Sequence, residues 1–169
     1  MGVRKYDYQP LLAPGRHRLA LPDVERLFVA SFEGKARTRR EALFGSFEQL
    51  VQALLTRCIP CEVRLDGSFL TKKPEPSDID VVVALDEDVS GLLTPEQNAL
   101  IFDLNTSELF VGLDCTVWVN YTRESENFGR GLDADAASEG YGLENGQRHL
   151  KGYVVLRLWE TDVGLRISR

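Results

Sequence analysis

Apolar residues recur along this chain with two different periods, and the changes of period divide it into elements. Leu43, Phe47, Leu50, Val51, Leu54, Leu55 and Cys58 follow one another mostly at steps of three and four. That spacing puts side chains on one face of a helix and predicts a helix over residues 37–57. Gly45 lies inside it at some loss of stability, and Pro60 ends it. A shorter helix is predicted over 22–31, because Pro22 suits a first helical turn, where its missing N–H would have no partner anyway. Thr94-Pro95-Glu96-Gln97 reads as a further helix start, with Thr as cap, Pro at the first position and Gln three after the cap. That helix is predicted over 94–106.

The other period is two. Leu113, Cys115, Val117 and Val119 alternate with Asp114, Thr116 and Trp118, which predicts a strand over 113–119 with one face buried. Residues 62–65 form a short strand that runs into Gly67-Ser68. Residues 79–85 carry the unbroken run Val81-Val82-Val83, which predicts an interior strand covered on both faces. A last strand is predicted over 150–159. Pro10, Pro14 and Gly15 punctuate residues 1–21, which read as an irregular arm pinned by Leu11, Leu12 and Leu19. Residues 69–77 read as a loop with two prolines, and Asp86-Glu87-Asp88 as an acidic turn. Residues 120–148 are polar and lack a period, so they form a long loop or flap, with room for a short helix over 133–139. The expected fold is one α+β domain, with a mixed sheet of about four strands and helices packed mainly on one face.

Composition narrows this picture. The chain has 169 residues, 43% of them hydrophobic, which fits one domain with a real core. No apolar run approaches the roughly 20 residues that cross a bilayer. The N-terminus lacks the apolar centre of a signal peptide, so a cytoplasmic location without a membrane is expected. The net charge of -6 argues against a domain that grips a nucleic-acid backbone, and so against stable DNA binding, while leaving room for a local basic groove. Lys35, Arg37, Arg39 and Arg40 form the densest basic cluster and read as the solvated start of a helix. Cys58 and Cys61 form a C-x-x-C, but a structural zinc site needs a second ligand pair. Cys115, His17 and His149 do not supply one, so these cysteines read as small, reduced core residues.

The chemistry concentrates in residues 66–83, D-G-S-F-L-T-K-K-P-E-P-S-D-I-D-V-V-V. Asp78 and Asp80 stand two apart at the start of a strand, so both carboxylates point to the same side. Two such groups repel when ionised, and a divalent cation relieves the repulsion; hard oxygen ligands suit Mg²⁺. Asp114 is a further acid embedded in a strand pattern. If its strand lies beside 79–85, all three carboxylates share one surface, and Asp114 can bind a second ion and help deprotonate an attacking hydroxyl. Gly67 lets backbone approach a phosphate closely. Ser68 can donate its hydroxyl and N–H to phosphate oxygens. Lys72 and Lys73 lie between this turn and the aspartates, placed to meet a triphosphate as point charges.

This set resembles the nucleotidyltransferase superfamily, the polymerase-beta-like fold. The carriers of the resemblance are L-D-G-S at 65–68, S-D-I-D-V at 77–81 and L-D-C at 113–115. The spacing is similar to that of small bacterial minimal nucleotidyltransferases, although the loop lacks their arginine-glycine turn. The P-G-R-H-R-L opening and the K-G-Y-V-V-L ending make the whole chain look like a bacterial and phage group of that superfamily.

The resemblance implies ATP or another NTP as substrate, Mg²⁺ as cofactor and transfer of a nucleotidyl group. It implies Asp78, Asp80 and Asp114 as catalytic and metal-binding residues, and Gly67 and Ser68 at the phosphates. It does not fix the acceptor. A hydroxyl of a protein or RNA is the leading expectation, with a place in a toxin–antitoxin or phage-defence system and a cognate toxin or antitoxin as partner. The chain is expected to end before any appended acceptor-binding domain, which leaves room for a partner to present the acceptor. The competing reading is a binding module of the same fold, an antitoxin or nucleotide sensor without turnover. Retention of all three carboxylates favours the enzyme.

Overall fold

The computed structural model describes residues 8–106, 109–128 and 152–158. Their elements run in the order β1 (Gly15–Arg18), α1 (Leu21–Phe28), α2 (Gly34–Thr56), β2 (Cys61–Asp66), a 3-10 turn (Ser68–Leu70), β3 (Ile79–Asp86), α3 (Glu87–Gly91), α4 (Pro95–Thr106), β4 (Leu113–Asn120) and β5 (Gly152–Leu158). The strands form one mixed, five-stranded sheet in the order β1-β5-β2-β3-β4. β2 runs antiparallel to both its neighbours, β3 and β5, while the β3–β4 and β1–β5 pairs are parallel.

The α+β class and mixed sheet are as the periodicity predicts, but there are five strands rather than about four. The additional strand is β1, inside the segment that reads as an irregular arm. Its sequence, G-R-H-R, has no apolar alternation, and it is mostly exposed at the edge of the sheet. Backbone pairing with β5, from Gly15 opposite Gly152 to Arg18 opposite Val155, makes it a strand. Leu11, Leu12 and Leu19 pack against the core around it.

The predicted helices form close to their expected bounds. At the start of α4 the Thr94 N–H donates to Gln97 Oε1 at 2.8 Å and the Gln97 N–H donates to Thr94 Oγ1 at 3.3 Å, a reciprocal cap. Gln97 Nε2 also donates to the carbonyls of Arg57 and Cys58, which ties the start of α4 to the end of α2. The acidic turn at 86–88 continues into the short helix α3. The helix anticipated over 133–139, and most of the 120–148 segment, lie outside the described residues.

Alternation gives the sheet two unlike faces. Val63, Leu65, Val81, Val83, Val154 and Leu156 belong to one core cluster with Phe44, Phe47, Leu50 and Leu54 of α2 and Leu100 and Leu104 of α4. The opposite face holds a small separate cluster of Val82, Ala84 and Trp118. Around that cluster most positions are polar, with Val155 of β5, opposite Arg64, a buried apolar exception. Across β2, β3 and β4, Asp66, Asp80 and Asp114 stand in register, and four residues back along β2 Glu62 stands opposite Arg157 of β5. β3 lies inside the sheet, and its Val-Val-Val run is buried on both faces, as the sequence predicts.

Glu62 is the centre of the polar face at the β1–β5–β2 end. Its carboxylate accepts from Arg16 Nη2 at 2.6 Å, Arg157 Nε at 2.7 Å and Arg64 Nη2 at 3.2 Å, so one acid links three strands. Burial works to raise the Glu62 carboxyl. The nearby charge of Arg16 and hydrogen bonds from Arg157 and Arg64 outweigh it and hold the group below its ordinary value. A carboxyl that is more acidic folded than unfolded adds stability above its unfolded pKa, and that stability is lost as pH falls through the folded value. The fold should therefore weaken below the ordinary glutamate range, about pH 4.3. Glu62→Gln should cost about 1–3 kcal/mol at neutral pH, because Arg64 is left buried with a weaker acceptor. It should also flatten the acid limb of the stability profile. Urea denaturation from pH 7 to pH 3 checks this; an unchanged acid limb would exclude Glu62 as its source.

Candidate functional site

The β2–β3 turn brings the sequence motif together. β2 ends at Asp66, and Gly67 turns the chain at φ 82° and ψ −167° into the 3-10 turn. A Cβ on Gly67 would lie 1.7 Å from Asp80 Oδ2 and 2.8 Å from its Cγ. Glycine is required here twice over: for its backbone angle, and because the Asp80 carboxylate rests against its Cα. Ser68 is half-buried, and its carbonyl accepts from the Thr71 N–H at 3.2 Å and Thr71 Oγ1 at 2.8 Å.

Parallel pairing of β3 with β4 sets Asp80 beside Asp114, at a strand separation of about 4.8 Å. The condition that the sequence left open, adjacency of these two strands, is met. Asp80 is half-buried and Asp114 exposed. Asp78 lies just before β3 and is half-buried. The Ile79 N–H donates to the Gly112 carbonyl at 2.9 Å, which anchors the starts of β3 and β4 to each other.

Sequence reasoning missed Asp66. It is only 6% exposed and stands opposite Asp80 in the β2–β3 register. The signal was present in the alternation of Glu62, Arg64 and Asp66 with Val63 and Leu65, which puts Asp66 on the polar face. Among the described residues, no group of three or more His, Cys, Asp or Glu side chains is arranged as a ready cage for a metal ion. The acids form a row across strands instead.

Of the two lysines of the loop, Lys72 has its ammonium engaged elsewhere. Lys72 Nζ donates to Gln9 Oε1 at 2.8 Å, and its N–H donates to the Gln9 carbonyl at 2.9 Å, so Lys72 holds the N-terminal arm. Lys73 donates its N–H to Thr71 Oγ1 at 3.2 Å. A phosphate contact from Lys72 would require it to exchange Gln9 for the ligand.

The basic cluster at the start of α2 is not uniformly solvated. Arg40 is fully buried. Its guanidinium donates to the carbonyls of Phe28 at 2.9 Å, Phe69 at 2.7 Å, Thr71 at 2.8 Å and Lys73 at 2.7 Å, and it sits 3.7 Å over the Phe32 ring. Burial pulls its pKa down to about 10, which leaves it charged at neutral pH. Arg39 donates to the carbonyls of Pro76 and Ser77, next to Asp78. The two arginines thus fasten the loop that joins the glycine turn to the aspartates. The sequence pattern concealed this, because burial of Arg40 depends on acceptors that come from a distant loop.

The cysteines are all free, and no described pair forms a disulfide. Cys61 is buried, and burial, with the charge of Glu62, pushes its thiol up to about 12, which suits the core reading. Cys58 departs from that reading: it is exposed, at φ 55°.

Fold and site together define an α+β protein whose sheet is covered by helices on one face and ends, on the other, in a row of aspartates beside a glycine turn. The chain belongs to DUF6932, a family of unknown function whose model matches residues 4–157. No curated protein and no solved structure matches it. Among the described residues no helix is long and apolar enough to cross a membrane.

Two substitutions separate the parts of this site. Arg40→Met strips three buried carbonyls and one part-buried carbonyl of their donor and should cost at least about 3 kcal/mol in urea denaturation, with faster amide exchange across residues 69–73. Arg40→Lys should not restore it, because an ammonium lacks the planar fork. Gly67→Ala should cost about 1–3 kcal/mol through its positive φ and displace the Asp80 side chain. A loss below about 0.5 kcal/mol for Gly67→Ala would mean that the turn relaxes and the close approach is dispensable.

Proposed function

We propose that this protein is an Mg²⁺-dependent nucleotidyltransferase that moves a nucleoside monophosphate from an NTP to a hydroxyl of a protein or RNA acceptor. The observation that carries the reading is the register of Asp80 and Asp114 on neighbouring strands, with Asp80 pressed against Gly67. This combination agrees with the resemblance of the three motifs to the nucleotidyltransferase superfamily.

The donor set fits Mg²⁺ in its chemistry. Mg²⁺ prefers oxygen ligands and is commonly held by one or two carboxylates together with substrate phosphates, and Asp78, Asp80 and Asp114 offer carboxylate oxygens. Asp78 and Asp80 would hold the ion that escorts the triphosphate, and Asp114 would share a second one. The bound ion would neutralise charge that develops on the phosphates in the transition state.

The remaining work falls to the chain. Gly67 lets the Asp80 carboxylate lie against the turn that would meet the phosphates, and Ser68 donates to them. Asp114 accepts the proton of the acceptor hydroxyl. That oxygen then bonds to the α-phosphorus, the bond from α-phosphorus to the α,β-bridging oxygen breaks, and pyrophosphate leaves with the bonding pair.

Mg²⁺–NTP should bind far more tightly than NTP in EDTA, because a cation between carboxylates and a polyphosphate offsets the repulsion of their like charges. Titration calorimetry in both conditions checks this, and equal affinities would remove the metal site. Labelled ATP, CTP, GTP and UTP, incubated with the protein, Mg²⁺ and a cell lysate, should mark a protein or RNA band. Metal-dependent binding without any labelling would instead favour a nucleotide-binding module.

Asp78→Asn and Asp80→Asn should each lower labelling by at least about 10²-fold while the fold persists. Asp114→Ala should lower turnover more than NTP affinity, since a group needed mainly in the transition state does not loosen the ground-state complex. An affinity that falls in step with turnover would make Asp114 an ordinary phosphate-side ligand.

A further inference from the structure

The polar face of the sheet has a second feature, at the end away from the aspartates. A cleft of about 490 Å³ opens there, within the usual range for small-ligand sites. Its described lining includes Arg16, Arg64, Arg123 and Arg157, against the carboxylates of Glu62 and Asp86. Its described lining therefore carries an excess of positive charge in a chain whose net charge is -6. Glu62 binds Arg16, Arg64 and Arg157 and thereby holds three guanidinium groups side by side. Guanidinium forks match phosphate oxygens in charge and geometry. Tyr121 and Phe128 line the same cleft, and Phe128 is 46% exposed, so aromatic rings stand beside the charges. Aromatic rings offer stacking surfaces to nucleobases.

We propose that this cleft binds a phosphate-bearing nucleotide unit, either a free nucleoside monophosphate or the end of an RNA strand. An acidic peptide would use the arginines but leave the rings idle. The site differs from the aspartate row in its residues: on β2 its lining runs from Cys61 to Arg64, and Arg64 precedes Asp66 by two residues, about 7 Å along the strand. Binding there needs no metal, so the inference stands apart from the nucleotidyl-transfer reading. Where both hold, the cleft supplies a place for the second substrate.

The test is equilibrium binding in EDTA, with AMP, a 5′-phosphorylated RNA trinucleotide and adenosine as probes. At least one phosphate-bearing probe should bind, and adenosine should bind at least about tenfold more weakly, because it lacks the group the arginines recognise. Arg16→Gln and Arg123→Gln should each weaken phosphate-probe binding by about tenfold. Arg123 is exposed, so that variant leaves the core untouched. Binding of AMP alone points to a free nucleotide, and binding of the trinucleotide points to a strand end.

The proposal is overturned if neither phosphate probe binds, if adenosine binds as well as AMP, or if both arginine variants bind like the wild type. It is also overturned if a glutamate-rich peptide competes as well as AMP, which would assign the cleft to a protein partner. Asp80→Asn should leave cleft binding in EDTA unchanged. Loss of cleft binding with Mg²⁺–NTP binding intact overturns the cleft alone, and the reverse overturns the aspartate site alone.

Discussion

The guanidinium of Arg40, buried between α2 and the loop after β2, holds the rest of the site in place. It occupies carbonyls at Phe28, Phe69, Thr71 and Lys73, and so joins the end of α1 to successive turns of the loop. Loops usually lie on the surface because their backbone groups are hard to satisfy when buried. Here one side chain supplies the donors, and Phe32 and Phe69 cover its charge. The loop can therefore sit against the core and still present a fixed glycine turn at one end and fixed aspartates at the other. Arg39, one residue earlier, extends the same grip to Pro76 and Ser77.

A sheet with only one face covered by helices makes this arrangement useful. The covered face carries the hydrophobic burial that stabilises the domain. The other face is free to hold charge, and it sorts that charge along the strands. Aspartates gather where β2 ends and β3 and β4 begin, and arginines gather around Glu62 at the opposite end. Like charges clustered this way repel in the folded state. At the arginine end Glu62 relieves the repulsion from within the protein. At the aspartate end, the proposed activity brings a cation with the nucleotide, and a row of carboxylates suits such an ion.

Membership of DUF6932 covers nearly the whole chain, from residue 4 to residue 157, so the aspartate row, the Arg40 clamp and the Glu62 cluster all fall inside the matched region. The proposed chemistry asks little covalent work of the protein. Phosphoryl-group transfer depends mainly on positioning and charge stabilisation, and strands in fixed register provide positioning. Gly67 illustrates the precision involved, since a single added methyl would occupy the space of an Asp80 oxygen.

The sequence by itself determined the elements whose signal is local. The three- and four-residue steps from Leu43 to Leu55 became α2, the Thr94–Gln97 pair became a reciprocal cap, and the alternation from 113 became β4. Within a strand it also set side-chain direction by parity, as for Asp114 against Leu113 and Cys115 in β4, whereas Asp78 falls before β3 begins. What it could not determine was set by partners distant in the chain. β1 became a strand because β5, more than a hundred residues later, paired with its backbone, and backbone pairing leaves no mark on side-chain pattern. Arg40 was buried rather than solvated because a loop some thirty residues away supplied its acceptors. Asp80 met Asp114, and Asp66 joined them, only through the register of β2, β3 and β4. Parity follows from each strand alone, whereas register follows from hydrogen bonds between strands, and those exist only in the folded sheet.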